Sequence, residues 1–145
     1  MSFFKSMNIS ASGLNAQRMR MNILSSNLAN AQTTQTPEGG PYKRKDVVFE
    51  AKPVGDKFED FLDEQFGTNL SKVNVLQIHE DTKAPRTVYD PTHVHANKDG
   101  YVEMPNIDVM TEMVNMIAST RSFEANTTAL NNAKQMALKA LEIGR

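Results

Sequence analysis

The chain has 145 residues, 39% of them hydrophobic and 23% charged, with a net charge of −1, nine methionines and no cysteine or tryptophan. A near-neutral balance excludes nucleic acid as the main partner, because phosphate recognition rests on clustered Lys and Arg, and the missing cysteines exclude disulfides, thiolate zinc sites and a thiol nucleophile. No apolar run reaches the roughly 18 residues of a membrane span, and no basic segment followed by an apolar stretch marks the start, so neither a span nor a cleaved export signal is expected.

Helix breakers are unevenly spread, with residues 37–105 holding all six prolines and five of the seven glycines. Residues 1–36 contain Gly13 alone, and residues 106–143 contain neither type. This predicts an α+β chain: an N-terminal helix in 1–36, a β-rich middle domain in 37–105 and a C-terminal helix in 106–145. On the first arm Met7, Leu14, Met21 and Leu28 recur every seven residues, and a second line from Phe4 and Ala11 decays to Arg18 and Ser25. Such recurrence reads as a coiled-coil-like seam, although the core face of an ordinary helical hairpin gives the same pattern. Asn8, Asn15, Asn22, Asn27, Asn30 and several serines make this arm polar for a core helix. Polar residues beside thin apolar seams suit an assembly that satisfies them between chains.

In the middle domain, short strands are expected at 46–51, 73–79, 87–89 and 101–104, bracketed by Pro37–Pro41, Pro53–Gly55, Asp90–Pro91 and Asp99–Gly100. Asp99–Gly100 predicts a tight, hairpin-like return into Tyr101–Met104. The basic trio Lys43, Arg44 and Lys45 reads as a solvated loop. Phe58, Phe61, Leu62 and Phe66 predict a short amphipathic helix near 57–66 that either covers the sheet or docks a neighbour. His93 and His95 would share one face of a strand, with Asp90, Asp99 and His79 as conceivable further metal ligands, but two histidines without a clear third ligand are usually loop residues. No phosphate-binding glycine loop and no G-x-S-x-G nucleophile motif occur, so no active site, cofactor or small-molecule substrate is expected.

Pro105 closes the middle domain, Asn106 is placed to cap the last helix, and Asp108 suits its first turn. On this arm Val109, Met116, Phe123, Leu130 and Ala137 repeat the interval of seven, while a second line falls after Met113 to Thr120, Thr127 and Lys134. Net charge is +5 over residues 1–45, −6 over 46–104 and zero over 105–145. That asymmetry would orient neighbouring chains rather than supply affinity.

Specific strings then sharpen the reading. Ser25-Ser26-Asn27-Leu28-Ala29-Asn30-Ala31 at one end resembles the signature of the bacterial flagellar rod and hook family. Met104-Pro105-Asn106-Ile107-Asp108, Glu112–Ile117 and Arg121–Asn126 match the other end of the same family. Gly40–Phe49, Tyr89-Asp90-Pro91, His93, Ala96 and Gly100-Tyr101-Val102 are similar to its short proximal-rod members, over residues 3–52 and 73–145. Val94 stands where the family commonly has Pro, and Asn97 where an acidic residue is common.

The resemblance implies a structural subunit of the flagellar basal body. It would be exported without a cleaved signal and assembled across the periplasm with copies of itself, other rod proteins and neighbouring rotor or surrounding rings. It also implies terminal helices that pair into an inner coiled-coil layer and are mobile before assembly. Asn27, Leu28, Ala29 and Asn30 would form a helix-end packing motif. The assembly interface expected from seam and resemblance together further includes Phe4, Met7, Leu14, Met21, Val109, Met113, Met116, Phe123, Leu130, Ala137 and Leu141. Two readings compete with it: a cytoplasmic helical adaptor or oligomerisation protein, and a metal-dependent enzyme using His93 and His95.

Overall fold

The structure, a computed structural model, describes residues 3–54 and 70–143. The amphipathic helix expected near 57–66 lies outside the described residues. In chain order the elements are α1 (Phe3–Ala29), β1 (Lys45–Pro53), β2 (Ser71–Glu80), β3 (Arg86–Tyr89), β4 (Tyr101–Met104) and α2 (Val109–Ile143). The α+β class expected from the breaker distribution is therefore observed, the described residues forming two helices that flank in sequence two antiparallel hairpins, β1–β2 and β3–β4.

At 27 residues α1 is about 40 Å long, and at 35 residues α2 is about 52 Å. They pair antiparallel. Gly13 lies against Asn126, the Thr120 hydroxyl is 3.6 Å from the Met21 sulfur, and Asn27 bonds to Glu112. Carried along, this register brings the start of α1 opposite residues near Met136, so the last turns of α2 run beyond the described start of α1. Gly13, the lone breaker of the first arm, has a packing reason: a Cβ there would stand 3.1 Å from the Asn126 amide nitrogen. The missing side chain lets the two backbones approach.

Both helix ends differ from their sequence expectations. The first helix stops at Ala29, where the Asn30 side chain turns back to the Ser26 carbonyl at 2.9 Å and the Thr33 N–H bonds to the Asn30 carbonyl at 3.0 Å. The second begins at Val109 and is capped by Asp108 rather than Asn106. Asp108 Oδ1 accepts from the Met110 N–H at 3.2 Å, Oδ2 accepts from the Thr111 hydroxyl, and the Asp108 carbonyl receives the Glu112 N–H at 3.0 Å. A carboxylate satisfies free N–H groups and complements the helix dipole better than a neutral amide, which moves the start two residues on. The Thr111 hydroxyl bond is the main cause holding the Asp108 carboxyl below its ordinary pKa.

The β1–β2 hairpin owes its sidedness to a bulge. Pairing runs Val47 to Ile78, then shifts after Val48, so that Phe49 meets Val75 and Ala51 meets Val73, with Leu76 left over. Directly opposed residues share a face. The shift therefore gathers Val47, Phe49, Ala51, Val73, Val75 and Ile78 on one side and leaves Asp46, Glu50, Lys52, Lys72, Asn74, Gln77 and His79, with Val48, on the other. The apolar side meets α1: Val47 is buried, the Arg20 guanidinium lies 6.0 Å over the Phe49 ring, and the Val73 N–H donates to the Ser12 hydroxyl at 3.1 Å.

Asp99–Gly100 lie in the tight turn their sequence suggested, with the Gly100 N–H on the Asn97 carbonyl at 3.0 Å and the Asn97 N–H on the Tyr101 carbonyl at 2.8 Å, but that turn does not by itself join the paired strands. An 11-residue loop, residues 90–100, joins β3 to β4. Its last turn is held by Asn97, whose side-chain oxygen accepts from the N–H groups of Asp99 at 3.1 Å and Tyr101 at 2.9 Å. Gly100 has φ +80°, and any Cβ there would stand 2.9 Å from the Tyr89 ring, so glycine is required twice over. The imidazole of His95 meets the Thr34 hydroxyl at 2.9 Å, tying this loop to the exit of α1.

Candidate assembly interface

The junction of the two helices with β1 is a buried polar cluster. Asn27 is 0% exposed, yet every hydrogen-bonding position of its amide is filled. Its nitrogen donates to the Lys45 carbonyl at 2.7 Å and to Glu112 Oε2 at 3.0 Å. Its oxygen accepts from the Lys45 N–H at 3.0 Å and from the Tyr42 hydroxyl at 3.2 Å. The carboxamide thus docks on Lys45 as a neighbouring strand would, which removes the penalty of burying it. Glu112, 1% exposed, receives Arg44 Nε at 2.8 Å, and Arg44 also reaches Asp46 at 3.2 Å. Burial works against the Arg44 charge, but the bonds and charges of Glu112 and Asp46 outweigh it and raise its pKa above the ordinary value.

The basic trio is therefore not a solvated loop as a unit: Arg44 answers the buried Glu112, and Lys45 pairs with Glu80 at 3.2 Å. Sequence reasoning missed Glu112 as a site residue. Its signal was a carboxylate in line with Ser119, Asn126 and Ala133 at sevenfold spacing.

The expected interface residues fall into three groups. Met7, Leu14, Met21, Leu28, Met116, Phe123, Leu130 and Ala137 are half-buried, and Asn27 is fully buried, with Asn30 half-buried in the turn beside it. Ala29 is exposed. Phe4, Val109, Met113 and Leu141 are exposed, Phe4 by 77% and Leu141 by 71%. Whereas Met113, Thr120 and Lys134 are exposed and Thr127 is half-buried, beside the Met116 line α2 turns Glu112, Ser119, Asn126 and Ala133 toward the fold, all buried but the half-buried Asn126. These residues are small or already partnered, so α1 can come close. On α1 the buried residues Ala16, Leu24 and Asn27 do not follow the interval of seven, because this helix meets α2 on one side and the β1–β2 hairpin on another.

Coverage by a single chain is incomplete. Seams expected to need several chains are closed in part by the chain itself, but α2 presents Met110, Met113, Val114 and Ile117 to solvent at i, i+3, i+4 and i+7. At its other end Leu138 and Leu141 are exposed on one side and Met136 on another. An open groove of about 590 Å³, bordered by Ala31, Gln32, Met104 and Asp108, leads into the first patch at Val109. The chain exposes 10610 Å², whereas a compact protein of 16.2 kDa exposes about 7,500 Å².

Among the described residues no group of three or more His, Asp or Glu is placed to hold a metal ion, and no helix is long and apolar enough to cross a membrane. The His93 and His95 rings lie 5.6 Å apart, with His93 Nδ1 accepting the His95 N–H at 3.1 Å, so both serve the loop.

Comparison with known proteins agrees with this architecture at both ends. Residues 7–35 match the family described as flagella basal body rod protein, and residues 98–143 match the C-terminal family of flagellar basal body rod FlgEFG proteins. Flagellar basal-body rod protein FlgC of Bacillus subtilis is 47% identical, with all of both chains covered. Its namesake in Borreliella burgdorferi is 39% identical over 99% of this chain and 98% of the relative, and that of Yersinia enterocolitica is 39% identical over the whole of both. With matched helices at the two termini and end-to-end similarity between them, the chain belongs to the FlgC family of flagellar basal-body rod proteins.

Proposed function

We propose that this chain, a structural subunit of the flagellar basal-body rod, is a link in the proximal part of a hollow drive shaft that carries torque from the rotor toward the hook. The observation that carries the reading is the exposed apolar stripe of α2, Met110, Met113, Val114 and Ile117, on a protein whose inner seam the chain itself closes in part. In an assembled shaft this stripe packs against helices of copies of the chain and of other rod proteins, and packed side chains resist sliding because close-packed interiors compress little. The β hairpins then lie outside the helical layer. Export without a cleaved signal and a place across the periplasm follow from the same reading. Its work is packing, and its relatives are structural rod proteins rather than enzymes.

Pairing of α1 with α2 inside one chain also suits a cytoplasmic helical adaptor, and one experiment separates the two. Met113→Glu places a charge on the outer stripe, whereas Phe123→Asp places one in the half-buried seam. In cells carrying only the variant chain, both substitutions are expected to abolish rods seen in isolated basal bodies. Met113→Glu leaves the free chain within about 0.5 kcal/mol of its normal stability, and Phe123→Asp does not. Normal rods with both variants would refute the assembly surface, and a chain absent from basal bodies in unmodified cells would favour the adaptor.

A further inference from the structure

We infer that Asn27, Arg44 and Glu112 form a rigid joint that fixes the β region to the helical pair, so that twist applied to the helices reaches β1–β2 instead of being absorbed in the connection at residues 30–44. The mechanical meaning rests on the rod reading; the joint itself does not.

Three observations support it. The connection has little regular structure and is closed mainly on itself, the Gly39 N–H on the Thr36 carbonyl at 3.0 Å, the Thr36 N–H on the Gly40 carbonyl at 2.9 Å and the Tyr42 N–H on the Thr33 carbonyl at 3.1 Å, so these turns alone do not fix its angle to the helices. Where it enters β1, however, both main-chain groups of Lys45 are held by the one amide of Asn27, at 2.7 and 3.0 Å. That amide is in turn bonded to Glu112 in the first turns of α2, and Glu112 is held from its other oxygen by Arg44 at 2.8 Å. The end of α1, the start of β1 and the start of α2 therefore meet at one fully satisfied point. Charge-assisted bonds of this kind fix direction as well as distance, so the three elements turn as one body. Glu112 also sits on α2 between the exposed Met110 and Met113, so the joint sets the angle at which the outer stripe is presented. Arg44, Asn27 and Glu112 act here as positioning residues, since their side chains point into the joint rather than onto the exposed stripe.

The test combines amide hydrogen exchange by NMR on the full chain with the recoil of beads tethered to single motors. In the unmodified protein the Lys45 amide is expected among the slowest, with those of Ala16 and Leu24. Glu112→Gln, which keeps the size but removes the charge and turns one of the two accepting oxygens into an NH2 that faces a donor of Asn27 or Arg44, should speed Lys45 at least about tenfold and leave Ala16 and Leu24 within about threefold. Arg44→Gln should do the same, and the double variant should be no faster than either single one. Fast exchange at Lys45 in the unmodified chain, an unchanged rate in the variants, or an equal rise throughout α1 would overturn the joint. In motors built with Glu112→Gln, the torsional compliance between rotor and a tethered bead, read from the bead's angular recoil when the motor stops, should rise above normal, a readout that a mere reduction in the number of rods would not move. A local rise at Lys45 with unaltered compliance would overturn the mechanical role alone. Absence of the unmodified chain from basal bodies would instead overturn the rod reading.

Discussion

Replacing Asn27 by Ala removes four hydrogen bonds at one buried point. The Tyr42 hydroxyl retains a partner in Ser26, 3.3 Å away, so its loss is discounted. Three groups remain stranded: the N–H and the carbonyl of Lys45 and one oxygen of Glu112. A buried unsatisfied group costs about 1–3 kcal/mol, and water entering the vacated space recovers part of it, which sets the expected loss at about 3–4 kcal/mol. For a chain of this size, whose stability is of order 5–15 kcal/mol, that is a large share. With a urea slope of about 1.5–2 kcal/mol/M the unfolding midpoint should fall by about 2 M, read by far-ultraviolet circular dichroism on the purified chain. Asn27→Asp should be at least as damaging, because it loses both donors and sets a second carboxylate beside Glu112. As a control, Thr128→Ala removes only an exposed bond to the Glu124 carbonyl and should stay within about 0.5 kcal/mol of normal. A midpoint shift below about 0.5 M for Asn27→Ala would refute the assignment of that amide as a fully engaged strand mimic.

Gly13→Ala should change thermal stability by less than about 1 kcal/mol, since a gain in helix propensity offsets the tight 3.1 Å contact with Asn126. Gly13→Leu should cost about 1–3 kcal/mol through overpacking. Asn126→Ala in the same chain should recover part of that loss, and failure to recover any would place the helix contact elsewhere. Asp108→Asn should weaken the cap and speed exchange of the Met110 and Thr111 amides. Because the folded pKa of Asp108 lies below its ordinary 3.8, its contribution is complete above that value and is lost as pH falls through the folded pKa. The unmodified chain should therefore show extra destabilisation below about pH 4 that the Asn variant lacks, measured by parallel urea titrations.

Much of the architecture was legible in one dimension. Proline and glycine placement gave two helices around a β-rich middle, because breakers act on the residues where they stand. Strand positions followed from β-branched runs, and the four expected strands match β1 to β4 to within two residues at each end. Leu76 was less legible: Val73, Val75 and Ile78 do not alternate as a single strand face should, and only pairing with Val47, Phe49 and Ala51 reveals the bulge that reconciles them.

What the sequence alone determined was the order and type of the described elements, the strand positions and the family to which both termini pointed. What needed the tertiary structure was which side of each helix faces inward and which polar residues are buried. Met113 and Glu112 lie one position apart on α2, and either line could have continued the seam beside Met116. The inward choice fell to the charged residue because Arg44 and Asn27, far away in the chain, supply the bonds that make its burial favourable, while the methionine remains outside for another molecule. Hydrophobicity and propensity are properties of single residues. Satisfaction of a buried charge is a property of pairs, and those pairs exist only once the chain has folded back on itself.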